Sequence, residues 1–178
     1  MQPSRMLGLK RGILSLSPYT PAWSDLYTLE SALLRELLGP AIIDIQHVGS
    51  TSIPGMIAKP ILDIAIQTGS LESVSLAEQV LPKHGYVCRG EQGIPGRHLF
   101  AKGDPITHHV HMMLPYCDNW QNQLLFRNYL LAFPEMAAQY VILKQQLIAT
   151  VAGDRKAYGD GKKAFIKLIL AEAKAYYQ

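Results

Sequence analysis

The stretch of residues 42–67 constrains the fold most, because two apolar runs flank a loop of small residues. The loop begins with Gly49 and Ser50, and the second apolar run, residues 61–67, carries one acid, Asp63. An acid inside a buried strand is costly unless it has a hydrogen-bonding partner or a cation. A turn of small residues lets backbone N–H groups approach an anion. The stretch therefore indicates either a phosphate and metal site or a plain hairpin with a structural acid.

The composition limits the class of protein. The chain has 178 residues, of which 48% are hydrophobic and 17% charged, which is typical of one globular domain with a sizeable core. The net charge of +3 suits an anionic small ligand and falls short of a nucleic-acid footprint, so nucleic acid is not an expected partner. The modest basic cluster contains Arg155, Lys156, Lys162, Lys163 and Lys167.

The sequence also predicts the cellular location of the protein. No apolar run approaches the roughly 20 residues of a membrane span, and residues 1–10 lack the apolar core of a signal peptide. The two cysteines, Cys88 and Cys117, do not make a disulfide framework or a zinc pair. We therefore expect a cytoplasmic protein without a membrane partner.

The predicted elements belong to the α/β (α+β) class, with a mixed sheet of about five strands flanked by helices and a helical C-terminal third. We expect one domain, divided into an arm (1–19), a mixed α/β part (20–115) and a helical part (116–178). The pattern of apolar residues, proline and glycine predicts helices over residues 21–38, 71–81, 119–132, 134–152 and 160–176. It predicts strands over residues 42–48, 61–67, 86–89, 97–102 and 106–114.

Alternation along the strands sorts the polar side chains by face. In the second strand, Asp63 points away from the aliphatic face. In the strand 106–114, His109 and His111 share one face and His108 lies on the other. The Gly103-Asp104-Pro105 turn predicts an antiparallel hairpin between this strand and the one before it. Such a hairpin could bring the two histidines beside Asp63.

These residues carry a resemblance to a known family. The segment His47-Val48-Gly49-Ser50-Thr51-Ser52-Ile53-Pro54-Gly55, followed by Lys59-Pro60-Ile61-Leu62-Asp63-Ile64, resembles the signature of the GrpB (UPF0157) family. The similarity continues in His108-His109-Val110-His111, in Phe126-Arg127-Asn128-Tyr129-Leu130 with Pro134-Glu135, in Tyr140 with Leu143-Lys144, and in Tyr158 with Lys162-Lys163-Ala164-Phe165-Ile166. It extends from about Leu16 to the C-terminus.

The resemblance implies a fold of the polymerase-β-like nucleotidyltransferase superfamily. That pattern joins a hydrophobic-Gly-Gly/Ser turn to a pair of acids on the next strand, with a third acid further on. Gly49 and Ser50 match the turn, and the 12 residues from 51 to 62 form a gap of permitted length before Asp63, the first acid. Ala65 occupies the second acid position and His111 a plausible third, so the sequence departs from the pattern at both.

By the same resemblance, Gly49 and Ser50 would bind the phosphates of a nucleoside triphosphate. We expect Thr51, next in the turn, and Lys59, just before the second strand, to contribute to phosphate binding. Asp63 would be the catalytic residue and a metal ligand. His109 and His111 would complete the metal site. The expected cofactor is a divalent metal, Mg²⁺ or Mn²⁺, with Zn²⁺ as an alternative because imidazole suits softer ions.

Three functions remain open at this point. The first is a nucleotidyltransferase that uses a nucleoside triphosphate, or another phosphorylated ligand, and an unknown acceptor. The second, motivated by Ala65, is a catalytically inactive nucleotide-binding or protein-interaction module. The third is a single-metal hydrolase that uses Asp63, His109 and His111. Further candidates, each with an ordinary structural role as the alternative, are His47, Arg97, His98, Arg127, Lys162 and Lys163.

Overall fold

The structure is a computed structural model that describes residues 6–178. The strands in this part of the chain are β1 (Asp44–Val48), β2 (Leu62–Gln67), β3 (Tyr86–Cys88), β4 (Arg97–Lys102) and β5 (His108–Met113). The helices are α1 (Ala22–Leu38), α2 (Leu71–Val80), α3 (Asn119–Ala132), α4 (Pro134–Thr150), α5 (Arg155–Gly161) and α6 (Lys163–Tyr177). None of the helices in residues 6–178 has the length and apolar character needed to cross a membrane.

The predicted arm is irregular in its described part. Two isolated bridges tie it to the rest of the chain, one from Leu9 to Ile106 and one from Ser17 to Ala58. Residues 1–5 of the predicted arm lie outside the described residues.

The five strands form one mixed sheet in the order β1-β2-β5-β4-β3. Strands β2 and β5 are parallel, and the other neighbouring pairs are antiparallel. The sheet and the helical C-terminal third confirm the predicted α/β class, and β4 with β5 forms the predicted hairpin. The parallel pair sets Asp63 opposite His109 and Ala65 opposite His111.

The two faces of the sheet have different partners. One face carries the aliphatic side chains of β2 and β5 and packs on α1 and α2 around Leu34, Ile64, Val74 and Val110. Burying this apolar surface supplies the main stabilisation of the fold. The other face bears Asp63 and is covered by the C-terminal helices, beginning with α3, which contacts β1 and β2.

The C-terminal helices have a core of their own. Tyr129, Tyr140 and Ile169 pack there against Ile53 and Met56 from the loop that follows β1. The loop after β1 is therefore held between the sheet and the helical part of the chain.

Some predicted boundaries were wrong. The predicted helix 160–176 covers only the end of α5 and most of α6. Helix α5 begins earlier, at Arg155, because Asp154 caps it by accepting hydrogen bonds from the backbone N–H groups of Lys156 and Ala157 at 2.8 and 3.0 Å. Strand β1 begins at Asp44, since a 3₁₀ turn occupies residues 39–41. Helix α1 begins at Ala22, one residue later than predicted, and Pro21 holds its cap position.

Candidate functional site

The parallel pairing of β2 with β5 brings together the three residues predicted as a metal site. Oδ1 of Asp63 lies 3.2 Å from Nε2 of His111 and 3.4 Å from Nδ1 of His109. One ligand atom from each residue lies within 4.8 Å of the others. The Asp63 side chain is 33% exposed, so the cluster is open to a ligand while its histidines are more deeply placed.

The donor set suits one divalent ion. One carboxylate and two imidazoles match Mn²⁺, Fe²⁺ or Zn²⁺ better than a pair of Mg²⁺ ions, which prefer oxygen ligands. Ala65 is fully buried in an apolar cluster with Val48, Met113 and Trp120, so the second acid position of the superfamily pattern is a packing position here.

The histidines control the charge of the carboxylate. Burial raises the pKa of Asp63, but hydrogen bonding and positive potential from His109 and His111 outweigh it, so this pKa lies well below its ordinary value. The carboxylate is therefore ionised at neutral pH and can bind a cation without first losing a proton.

Gly49 allows the turn to approach Asp63. Its backbone has φ 70° and ψ −171°, a combination essentially restricted to glycine. A Cβ built on Gly49 would lie 2.7 Å from Oδ2 of Asp63. Next in the turn, the Thr51 hydroxyl lies 2.9 Å from Nε2 of His47, and the Ser52 hydroxyl donates to the Gly49 carbonyl. The predicted phosphate-binding turn thus directly abuts the predicted metal ligand.

A cavity of about 200 Å³ opens beside Asp63, and we call it the cationic cavity. Ser50, Thr51 and His109 contribute to its wall. Its basic side chains and the tyrosine between them are Lys59, Lys144, Arg155, Lys162 and Tyr158. Four basic residues against one acid give this cavity the charge that a polyphosphate requires.

Two lysines of the cationic cavity lie over one aromatic ring. Nζ of Lys59 lies 5.0 Å, and Nζ of Lys162 4.5 Å, from the centroid of the buried Tyr158 ring. Burial, followed by the charges of Lys162 and Arg155, lowers the pKa of Lys59 to about 8. The two lysines therefore face the cationic cavity from fixed positions.

Lys144 is a site residue that the sequence patterns did not identify. It is 1% exposed, and its Nζ donates to Oγ of Ser50 at 3.2 Å and to the carbonyl of Ile57. Burial, with a smaller contribution from Lys162, lowers its pKa to about 7. The available signal was a lysine four residues after Tyr140, within the apolar stripe of its helix.

A second cavity, of about 450 Å³, lies on the other side of Asp63, and we call it the carboxamide cavity. It shares Ser50, Asp63 and Lys162 with the cationic cavity. Its remaining wall includes Arg97, His111, Asn119, Asn122, Gln123 and Phe126. The predicted site residue Asp63 thus stands between two cavities of different character.

Several other candidates have structural roles. His47 stacks on Tyr27, with ring centroids 4.8 Å apart, and burial lowers its pKa to about 4. Arg127 donates to the His47 carbonyl at 2.8 Å and to Oε1 of Gln46 at 3.1 Å, which fixes β1. Lys163 pairs on the surface with Asp160 at 2.7 Å. The contacts of His47 and Arg127 therefore stabilise β1 next to the site, whereas the contact of Lys163 lies away from it.

The remaining histidines of the strands lie away from the cluster. His98 lies opposite Met112 in the pairing of β4 with β5. It is not among the described residues that line either cavity. His108 faces the opposite side of the sheet, as predicted, with Nε2 3.7 Å from Glu30.

The fold and the site define a mixed α/β protein in which a histidine–aspartate cluster separates two cavities. Comparison with known proteins identifies the family. The sequence model of the family described as "GrpB protein" matches residues 13–172, so the chain belongs to the GrpB family.

Its relatives include proteins from several bacteria. The chain is 42% identical over 159 residues to the UPF0157 protein YqkA of Bacillus subtilis, a match that covers 89% of this chain and 46% of YqkA. The chain thus spans about half the length of YqkA. It is 34% identical over 173 residues to the glutamate-rich protein GrpB of Alkalihalophilus pseudofirmus, covering 94% and 99% of the two chains.

A solved structure is also similar. The crystal structure of conserved protein GrpB from Enterococcus faecalis superposes with a TM-score of 0.86 at 35% sequence identity. The match covers 92% of this chain and all of the other.

Proposed function

We propose that the protein is a metal-dependent enzyme of the nucleotidyltransferase type, which binds a nucleoside triphosphate and transfers a nucleotidyl group to an acceptor. One observation carries the proposal. The carboxylate of Asp63, with His109 and His111 beside it, lies at the border of a cavity that contains four basic side chains. Such a juxtaposition suits a polyphosphate whose reactive phosphorus lies at the metal cluster and whose leaving group lies among the cations.

The cationic cavity supports this orientation. Lys59, Arg155 and Lys162 would neutralise the phosphates that leave as pyrophosphate, because positive charge stabilises the negative charge that develops there. Ser50 would bind a phosphate oxygen through its hydroxyl and its backbone N–H. The hydrogen bond from Lys144 to Ser50 fixes the position of this turn between β1 and β2. These residues act by binding and orientation, which supply much of the catalysis in nucleotidyl transfer.

The metal fits the same arrangement. Asp63, His109 and His111 would hold one divalent ion, which when bound supplies Lewis-acid stabilisation of phosphoryl oxygens. Since Ala65 is fully buried among apolar side chains, the chain lacks the second carboxylate at this position on which a two-Mg²⁺ site would depend.

The donor set also favours a second candidate function. One carboxylate with two imidazoles around a transition metal is compatible with a hydrolase that uses water in place of an organic acceptor. The two functions share the phosphorylated ligand and differ in the product. An inactive binding module would bind the same ligand without turnover.

Titration calorimetry with ATP, GTP, CTP and UTP, in Mn²⁺ and in Mg²⁺, tests the proposal. We expect binding of at least one triphosphate, stronger with Mn²⁺, and its loss in Asp63→Asn. Asp25→Asn, which alters an exposed acid on α1, is the matched control and should bind as the wild type does. Mass spectrometry of the reaction separates transfer from hydrolysis. Absence of triphosphate binding with either metal, or unchanged binding and turnover in Asp63→Asn, would overturn the proposal.

A further inference from the structure

Several residues that line the carboxamide cavity have unpaired polar atoms. Within residues 6–178, four buried side-chain polar atoms lack a hydrogen-bond partner, and three of them belong to residues that line this cavity. They are Nε of Arg97, Nδ1 of His111 and Oε1 of Gln123. Buried polar groups in folded proteins are nearly always paired, so each exception calls for a cause. These three atoms are themselves shielded from solvent, but they belong to polar side chains that surround one cavity, so its wall is rich in groups able to bind a polar ligand.

Helix α3 supplies most of this wall. Asn119, Asn122, Gln123 and Phe126 follow one another at helical spacing, so a single face of the helix presents three carboxamides to the cavity. The sole side-chain hydrogen bond of Asn119 among the described residues is a weak one to Sδ of Met113, at 3.7 Å. Carboxamides both donate and accept, which suits a ligand that carries both kinds of group.

Arg97 provides a positive charge on the opposite side. Its Nη2 donates to the backbone carbonyls of Glu91 and Gln92 at 3.0 and 3.3 Å, so the guanidinium is held by neutral oxygens. No carboxylate within residues 6–178 forms an ion pair with it. Lys162 adds a second cation at the border shared with the cationic cavity. The charge of this wall favours an anionic ligand.

The aromatic residues of the carboxamide cavity are poorly placed for stacking on a base. Tyr140 stacks on Phe165, with ring centroids 5.1 Å apart. Nζ of Lys144 lies 4.6 Å from the centroid of the Tyr140 ring. Phe126 meets Tyr140 edge to face at 5.4 Å. Because Tyr140 is already engaged by these neighbours, the wall does not offer the free platform that bases require.

The supply of acids constrains the acceptor. Among the described residues that line the two cavities, Asp63 is the single carboxylate, and it belongs to the metal cluster. An acceptor hydroxyl would need a base to remove its proton, and the two lysines whose pKa values are lowered to about 8 and about 7, Lys59 and Lys144, line the cationic cavity and not this one. An acceptor that is already an anion has no such requirement, and the surrounding cations attract it.

We propose that the carboxamide cavity is the acceptor subsite and that the acceptor is a small carboxylic acid which also carries an amino or amide nitrogen. The carboxylate faces Arg97 and Lys162, and the nitrogen faces the carboxamides of α3. This inference rests on the proposed function and names the acceptor class for the same site.

The step balances without an added reagent. A carboxylate oxygen attacks the α-phosphorus of the triphosphate and forms an O–P bond. The bond between the α-phosphorus and the bridging oxygen breaks, and its electron pair leaves with pyrophosphate. The products are an acyl nucleotide and pyrophosphate, and no proton is transferred.

Acid-dependent exchange of labelled pyrophosphate into a nucleoside triphosphate tests the inference. Each of the four triphosphates is incubated with Mn²⁺, labelled pyrophosphate and, in turn, the twenty proteinogenic L-amino acids and their methyl esters. We expect one or a few acids to promote exchange and the corresponding esters to fail, because an ester lacks the attacking oxygen anion. Hydroxylamine should convert the acyl nucleotide into a hydroxamate.

Variants on α3 assign the effect to the cavity. Gln123→Leu should reduce the affinity for the acid about tenfold or more, the scale expected when a polar contact to a charged ligand is removed. Gln121→Leu, an exposed position on the same helix, is the matched control and should leave exchange unchanged. Circular dichroism and thermal unfolding verify that both variants fold.

The outcomes separate the two proposals. Triphosphate binding without acid-dependent exchange in any pool overturns the acceptor inference and leaves the proposed function standing. Exchange that is unaffected by Gln123→Leu and by Arg97→Met overturns the location. Binding of a free nucleoside that Gln123→Leu abolishes would place the base in this cavity and also overturn the inference. Absence of triphosphate binding overturns the proposed function itself.

Discussion

Nζ of Lys144 in α4 donates a hydrogen bond to Oγ of Ser50, at 3.2 Å, in the turn that follows β1. The same ammonium donates to the carbonyl of Ile57 further along the loop. A lysine that is 1% exposed thus connects the helical part of the chain to two points, Ser50 and Ile57, of the segment that joins β1 to β2. Its partners are neutral oxygens and the ring of Tyr140, and no ion pair within residues 6–178 offsets the cost of burying its charge.

The first prediction concerns stability and pH. The pKa of Lys144 is lowered from 10.5 to about 7 in the folded protein, so between these values the unfolded chain binds more protons than the folded one. The free energy of unfolding should therefore gain a contribution from Lys144 as the pH rises from about 7 toward 10, on the order of 1 kcal/mol per pH unit. Urea unfolding at several pH values measures it.

Lys144→Met should lose this contribution, whereas Lys83→Met, an exposed lysine, should keep it. A Lys144→Met protein whose stability rises with pH as steeply as that of the wild type would contradict the assignment.

A second prediction uses two glycines with positive φ. Gly49→Ala should destabilise the protein and weaken Mn²⁺ binding, because its Cβ would lie 2.7 Å from Oδ2 of Asp63. Gly55 has φ 77° and open space around its Cβ position, so Gly55→Ala tests backbone strain, of about 1–2 kcal/mol, without the collision. Calorimetry with Mn²⁺ should distinguish the variants. Equal Mn²⁺ affinities would show that the approach of Gly49 to Asp63 is unimportant.

The third prediction concerns position 65. Ala65→Asp should destabilise the protein strongly, because the new carboxylate would enter the apolar cluster around Val48 and Trp120 without a partner. Ala65→Asn has nearly the same volume and isolates the effect of charge. Thermal unfolding with and without Mn²⁺ compares them. Recovery by Mn²⁺ of the Asp variant alone would mean that this position can hold a metal after all.

The affinity for ATP should depend on the protonation of Lys59. Its pKa of about 8 means that this positive charge is lost as the pH rises from about 7 to about 9, so ATP binding should weaken across this range. Lys59→Arg keeps its charge throughout and should flatten the profile. Calorimetry at each pH measures the affinities. An equally steep decline in Lys59→Arg would assign the titration to another group, such as Lys144.

Local patterns predicted the sheet-borne half of the site. The two-residue alternation of the strands placed Asp63 away from the aliphatic face of β2 and put His109 and His111 together on one face of β5, and the Gly103-Asp104-Pro105 turn predicted the β4–β5 hairpin. The register between β2 and β5 was beyond these patterns, because a long crossover separates the two strands.

The helical half of the site could not be predicted in the same way. The basic cluster identified in the sequence divides in the structure, since Arg155 and Lys162 line the cationic cavity while Lys156 and Lys163 pair with Asp160 on the surface. Which lysine faces inward depends on the break between α5 and α6 and on how these helices dock. Both are set by long-range packing, which a local pattern does not contain.

The cationic cavity draws on chain segments that are made at different times. The turn at Gly49 and the carboxylate of Asp63 precede Arg155 and Lys162 by roughly one hundred residues. During synthesis, a nascent chain would hold the aspartate and the turn well before it could neutralise a polyphosphate. Ligand binding would then stabilise only those protein molecules in which the C-terminal helices have docked. A bound phosphate would contact both the turn at Gly49 and these helices, and would stabilise their association.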